Sequence, residues 1–200
     1  MPILRAIPYQ LMKYCAKILR CISLVIAILL LFGYLPLQAQ STPPLEYQLK
    51  AVFLFNFTQF VDWPSTAFDT DQSPLVIGIL GENPFGSYLE ETVTGEKINK
   101  HAVVVRYYQN AEDAKNCQLL FINLPDTKKR KQAIEALKGK NILTVSDATG
   151  FSTEGGMIRF FTRNNKINLQ INIEASKASE LVFSSKLLRL ADIYKSGENN

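Results

Sequence analysis

The sequence predicts an α/β protein: a single Rossmann-like three-layer domain with a mainly parallel sheet, a C-terminal β-hairpin and flanking helices. Three observations predict it. Apolar β-rich runs alternate with helical segments between residues 74 and 146, which calls for crossover connections and parallel strands. The run 74–80 is continuous in its apolar character, as a strand covered on both faces is. Two later runs, 157–162 and 166–173, flank the tripeptide Arg-Asn-Asn at 163–165, and asparagine tolerates the positive φ of a tight hairpin turn.

Taken in order, the first element is a helix over Leu45–Phe60, with Leu45, Leu49, Val52, Phe53, Phe57 and Phe60 at spacings of three and four. Leu54 and Phe55 widen its apolar face. Trp63 precedes Pro64, and a residue before proline leaves the helical region. Strand 74–80 follows, then a short helix over 84–93 and a β-rich run over 101–108. A polar connection over 111–116 leads to strand 117–122. The segment 127–137 is an amphipathic helix that Gly139 caps. Strand 142–145 ends at Ser146 and Asp147. In the hairpin, Ile167, Leu169, Ile171 and Ile173 alternate with Asn168, Gln170 and Asn172, so one face is core and the other meets solvent or a partner. Helices over 174–179 and 184–194 close the domain, and 196–200 is a frayed tail.

Charge divides the chain. There are 22 Lys plus Arg against 18 Asp plus Glu, a net +4. Arg5, Lys13, Lys17 and Arg20 lie before residue 40, where no acid occurs, so the rest carries 18 charges of each sign. The uncharged run 21–35 after Arg20, and Ala39 at its exit, describe a secretory signal peptide over 1–39. Cleavage is expected near Ala39. The alternative, an uncleaved anchor, needs about 20 apolar residues, more than this run has. The organisation read is therefore a signal peptide over 1–39, a loose lead over 40–44, one domain over 45–195 and the tail. Of three cysteines, only Cys117 lies beyond the signal, so an internal disulfide is excluded there.

Catalytic equipment is thin. His101 is the single histidine, and edge or core packing accounts for it. A zinc site needs several His or Cys ligands, and a Cys–His nucleophile pair would have to join Cys117 to His101 without a third orienting group. The reading is no enzyme, no cofactor and no metal. Residues 81–86, Gly-Glu-Asn-Pro-Phe-Gly, sit where a phosphate loop sits in doubly wound folds. They lack the G-x-G-x-x-G spacing, and Pro84 removes a backbone donor. A structural turn explains them, bordering at most a small-ligand crevice at Asn83, Phe85, Ser146 and Asp147. The cluster Lys128, Lys129, Arg130 and Lys131 reads as a solvated helix face, and no nucleic-acid partner is expected. The most unusual segment is 147–156, Asp-Ala-Thr-Gly-Phe-Ser-Thr-Glu-Gly-Gly. It is either a long ordered connection into the hairpin or a binding edge with Phe151 as anchor.

Six segments then carry a resemblance. They are the aromatic-rich 47–64, the turn 81–86, the run 117–122, the segment 143–147 with Gly150, Phe151, Gly155 and Gly156, the pair Ile171 and Asn172, and 184–191, Ser-Ser-Lys-Leu-Leu-Arg-Leu-Ala. In this order the chain resembles the YfiR-like family of periplasmic regulators, over nearly all of its length past the signal. The resemblance implies a small Rossmann-like α/β protein without catalytic activity in the Gram-negative periplasm. It implies a membrane-bound signalling partner, a diguanylate cyclase or similar, repressed through its periplasmic sensor region, so that release raises cyclic di-GMP and favours biofilm. It also implies dimerisation and redox control through disulfides. Cys117 departs from the family's Cys-His, with Gln118 following, and has no partner cysteine past the signal, so a buried inert thiol is expected.

The expected partner surface is the glycine-rich loop, the polar face of the hairpin and the following helix start: Phe151, Glu154, Met157, Arg159, Gln170 and Lys177. The Phe-rich first helix is the second candidate surface, for a homodimer. A periplasmic small-ligand binding protein is the alternative reading.

Overall fold

The computed structural model describes residues 44–195 and Arg20. Apart from Arg20, the expected signal peptide lies outside the described residues, as do most of the expected lead and the expected tail.

Helix α1 spans Leu45–Phe60 and gives way to extended backbone at Val61. Its bounds match the sequence reading, but its inward face is rotated. Ala51, Leu54 and Phe57 are buried together with Lys50 and Thr58, whereas Leu45, Leu49 and Val52 are exposed. Lys50 faces inward because Asp147 pairs with it, and Thr58 is satisfied by donating to the Phe55 carbonyl of its own helix, so polarity alone misplaces the stripe.

The sheet has eight strands in the order β10-β8-β7-β6-β5-β2-β4-β3. These are β2 (Leu75–Gly81), β3 (Lys97–Ile98), β4 (His101–Tyr108), β5 (Leu119–Asn123), β6 (Leu143–Ser146), β7 (Ile158–Arg163), β8 (Lys166–Ile171) and β10 (Ala191–Ile193). From β4 through β7 every pairing is parallel. The order β4-β2-β5-β6-β7 is that of the flavodoxin-like doubly wound sheet, which reverses direction beside the first strand. A separate two-stranded ladder pairs β1 (Val61–Asp62) with β9 (Val182–Phe183). The remaining helices are α2 (Tyr88–Val93), α3 (Thr127–Leu137), α4 (Ile173–Lys177) and α5 (Ser185–Leu188).

Two apolar cores lie on the two faces of the sheet. Leu54 and Phe57 of α1 pack in one core with Ile77, Ile79, Phe121, Val145, Ile158, Phe160 and Leu169. Ala133, Ile134 and Leu137 of α3 pack in the other with Val76, Leu80, Leu120, Ile122 and Phe151. Both faces of β2 and β5 are thus covered, as their unbroken apolar runs require.

The hairpin matches expectation. Asn164 and Asn165 have φ of 54° and 57°, the left-handed pair of a type I′ turn. The last expected helix does not extend over 184–194. Ser184 caps α5 by accepting from the Leu187 amide at 3.3 Å, and the chain then turns extended as β10, parallel to β8. The open edge of β8 offers hydrogen bonds that a frayed helix end lacks. The strands β1, β3 and β9 are two residues each, too short for periodicity to reveal.

Candidate functional site

The glycine-rich connection is tied down at each end. At its start, the Asp147 carboxylate accepts from Lys50 Nζ at 2.7 Å and from the Tyr47 hydroxyl at 2.9 Å. Lys50 also pairs with Glu46 at 2.7 Å, one turn back on α1. Burial, reinforced by the Asp147 charge, pushes the Tyr47 phenol up, so it stays a donor. Further along, Arg130 of α3 meets Glu154 with both side chains almost fully buried (5% and 7% exposed). Arg130 Nη1 donates as well to the Leu124 carbonyl at 2.8 Å. The Asn172 amide donates to the Ser152 carbonyl at 3.1 Å. The segment is a braced pedestal.

This placement corrects part of the expected surface. Phe151 is fully buried in the α3-side core and Met157 is buried beside β7. Glu154 is occupied by Arg130. Phe151 is held in the core, and Glu154 and Met157 face a cleft and not the open sheet face. A glycine-rich composition reads as pliant, but here Gly150 and Gly155 supply positive φ to tight turns, and a Cβ on Gly156 would collide with the Phe151 ring. Arg130 is likewise no solvated cation, unlike Lys128, Lys129 and Lys131 around it.

Arg159 and Gln170 are brought together. They stand opposite each other across the β7–β8 ladder, on the sheet face away from α1. Strand parity puts Phe161, Arg163, Lys166 and Asn168 on the same face, and Asp192 of β10 pairs in register with Gln170. None of these side chains is buried. α3 and Phe151 cover β2 and β5 in the core on this side, and the hairpin lies past them. Phe161 lies between two guanidinium groups, with Arg163 5.3 Å and Arg159 5.7 Å from its ring centroid. Phe161 and Arg163 were not singled out from the sequence. Their signal was available, since 159, 161 and 163 alternate with the buried Ile158 and Phe160.

Lys177 is exposed on α4 and pairs with Glu174 at 3.1 Å. It rims a cleft of about 690 Å³ between α3, the pedestal and α4, which Glu154 and Met157 also line. The Ser152 hydroxyl, at the edge of this cleft, is buried without a hydrogen-bond partner.

The four crevice residues do not form one site. Asn83 folds its own turn, accepting from the Phe85 amide at 2.9 Å and donating to the Gly86 carbonyl at 2.8 Å. Phe85 is buried edge-on between Tyr47 and Phe121. Ser146 and Asp147 border a separate hollow of about 360 Å³ with Asn123 and Arg130. Ser146 is engaged with the Ile122 carbonyl at 2.7 Å.

His101 Nδ1 lies 2.6 Å from the Ser73 carbonyl, and its ring stacks on Phe68. Cys117 is buried before β5, its thiol donating to the Ala114 carbonyl at 3.0 Å and pushed up to about 12 by burial. Strand β2 separates the strands of these two residues, so they do not form a nucleophile–base pair. Among the described residues no group of His, Cys, Asp or Glu is placed to hold a metal ion, and no helix is long and apolar enough to cross a membrane.

A family model described as YfiR/HmsC-like matches residues 47–192, from the first turn of α1 to β10. The chain belongs to the YfiR/HmsC-like family. The YfiR/HmsC-like match covers the pedestal, the hairpin and both cores, and the family is one of periplasmic regulators. No curated protein matches the chain. Among solved structures, this YfiR/HmsC-like chain is similar to a conserved domain protein from Vibrio cholerae O1 biovar El Tor, at 12% identity and a TM-score of 0.47. The match covers 76% of this chain, which spans 60% of that one.

Proposed function

We propose that this YfiR/HmsC-like protein is a periplasmic regulator that binds the periplasmic region of a membrane signalling protein, of the diguanylate cyclase class, and represses it. It reaches the periplasm by a signal peptide cleaved near Ala39 and acts there as one domain over 45–195. The observation that carries the reading is the uncovered hairpin face, where Arg159 and Gln170 stand paired on a sheet whose other face is core. Such a face is rigid and already shaped, which lowers the cost of association. Repression follows by occupancy: the partner's sensor region has two conformations, and binding one of them shifts the population.

The test is a photocrosslinking amino acid at position 170, introduced in cells, with position 115 at a remote exposed site as control. The expected result is a membrane signalling protein crosslinked from 170 and not from 115. Equal capture from both positions, or none, would sink the reading. The exposed stripe of Leu45, Leu49 and Val52 on α1 is the surface for a second copy of the chain.

The cleft beside Ser152 favours a second reading, a small-ligand binding protein. A buried hydroxyl without a partner costs free energy that a bound polar group recovers. A metabolite that raises the melting temperature of the wild type but not of a Ser152→Ala variant would promote it.

A further inference from the structure

We propose that the outer face of the β7–β8 hairpin docks an acidic protein segment, with Arg159 and Arg163 each taking a carboxylate on either side of Phe161. This rests on the regulator reading above and adds the chemistry of the partner.

Cations elsewhere in the buried parts of the fold are spoken for. Lys50 has Asp147 and Glu46, and Arg130 has Glu154. Arg159 differs: among the described residues it makes no ion pair and no side-chain hydrogen bond, and its Nε is buried without an acceptor. What holds it is the Phe161 ring. A guanidinium beside an aromatic ring is oriented at small entropic cost, and its planar fork matches a carboxylate bidentately.

The neighbours give the face its sign. Among the described residues of β7, β8 and β10, Arg159, Arg163 and Lys166 are opposed by one acid, Asp192. The Arg163–Asp192 pair, at 2.9 Å, is about half exposed on both sides. Exposed pairs of this kind contribute little and exchange readily. Asn168 and Gln170 add neutral hydrogen-bonding groups, and the partly exposed Phe161 supplies apolar area at the centre. A positive rim around an aromatic is the arrangement that a carboxylate-bearing segment with an apolar residue complements. From residue 40 onward the chain is neutral, so this excess is local and selects by position.

The platform is fixed before any partner arrives. Ile158, Phe160, Leu169 and Ile171 anchor the same two strands in the α1-side core. Phe160 stacks on Phe57 with centroids 5.7 Å apart. Arg159, Phe161 and Gln170 are each flanked along the strand by at least one of these buried residues.

The experiment uses the ¹⁵N-labelled protein and a synthetic peptide of glutamate, serine and leucine, with its glutamine counterpart as control. The expected result is chemical-shift change centred on the amides of Arg159, Phe161, Arg163 and Gln170 with the glutamate peptide alone, weakening as salt is added. Arg159→Gln should lower the affinity about tenfold, and Arg159→Lys should lose less. Arg163→Gln, at an exposed site, gives the same direction without a folding question. Shifts centred on 128–131, equal binding of the glutamine peptide, or response of these amides to phosphatidylglycerol vesicles but not to the peptide would each overturn the proposal. If the peptide fails while position 170 still crosslinks a membrane partner, the acidic chemistry is wrong and the regulator reading stands. If the peptide binds here and no membrane protein crosslinks, the chemistry stands and the regulator reading is wrong.

Discussion

Arg130 grips Glu154 with two parallel hydrogen bonds, Nε to Oε2 at 2.7 Å and Nη2 to Oε1 at 2.8 Å. The pair joins the first turn of α3 to the last turn of the pedestal, so the loop before β7 is fixed to a helix that packs on the opposite side of β6 from α1. The bond to Glu154 holds the Arg130 guanidinium charge even more firmly than usual.

Removing one partner of this pair leaves the other charge buried. Glu154→Ala should therefore cost about 3–5 kcal/mol, read as a lower urea midpoint with an unchanged slope. Replacing both, as Arg130→Met with Glu154→Leu, should recover most of that loss, because an apolar pair of similar volume avoids the desolvation cost. If Glu154→Ala melted like the wild type, the pedestal would not be braced by this pair.

Phe151 is the second support. Its ring is buried against α3, and Gly156 leaves the space the ring needs. Phe151→Ala should cost about 3–5 kcal/mol through lost burial and a cavity. Gly156→Ala and Phe151→Leu should each destabilise too, and the double variant that combines these two should lose less than the sum of their losses. Thermal melts of the four proteins, wild type included, decide this.

These two residues show where the sequence was legible and where it was not. Helix α1, the parallel strands and the hairpin were readable because each rests on a local period over many residues. From the sequence the pedestal reads as a loop offering Phe151 and Glu154, because its composition is local while its bracing is not. Asp147 finds Lys50 across 97 positions and Glu154 finds Arg130 across 24. For the same reason α1 was turned the wrong way: Lys50 is buried by a partner far along the chain. Strand β10 was read as helix because three residues carry no period, and only the β8 edge makes them a strand. The outward placement of Arg159 and Gln170 is legible because strand alternation alone gives it.

Alkaline pH should unfold the protein through groups that burial keeps protonated. The Cys117 thiol rises from 9.0 to about 12 by burial. The Tyr107 phenol rises from 10.0 to about 12, by burial first and then its hydrogen bond to Glu90, but its side chain is 45% exposed, so solvent screening leaves Cys117 the larger contributor. Both folded values lie above the unfolded ones, so above pH 9 the unfolded chain binds fewer protons than the folded one. Their contribution is complete below that point and is lost as the pH climbs toward 12. Urea midpoints should fall between about pH 9 and 11, less steeply in Cys117→Ala. The native thiol should also resist iodoacetamide near neutrality, since the thiolate is the nucleophile. Rapid native labelling would contradict its burial.

The hairpin turn fixes the register that pairs Arg159 with Gln170. Asn164 and Asn165 both hold positive φ, which β-branched residues avoid. Asn164→Val or Asn165→Val should each cost about 1–2 kcal/mol, whereas Asn165→Gly should be neutral or mildly stabilising. Amide exchange of β7 and β8 in the valine variants would show whether the ladder loosens from the turn inward.

Face and pedestal separate contact from stability. Arg163 and Lys166 are exposed on the outer face, so Arg163→Gln with Lys166→Gln should leave the melting temperature within a few degrees, since surface changes away from packed features are usually within about 0.5 kcal/mol. The same double variant removes the local positive charge and should weaken repression, because the complementary charge that steers and holds the partner is lost. Glu154→Lys, in contrast, should lose repression and stability together, since it leaves two cations facing each other in a nearly dry site. Cyclic di-GMP levels and melting curves, measured on the same variants, distinguish the two. A face variant that melts normally and represses like the wild type would move the contact elsewhere, to the cleft rim at Lys177 or to the exposed stripe on α1.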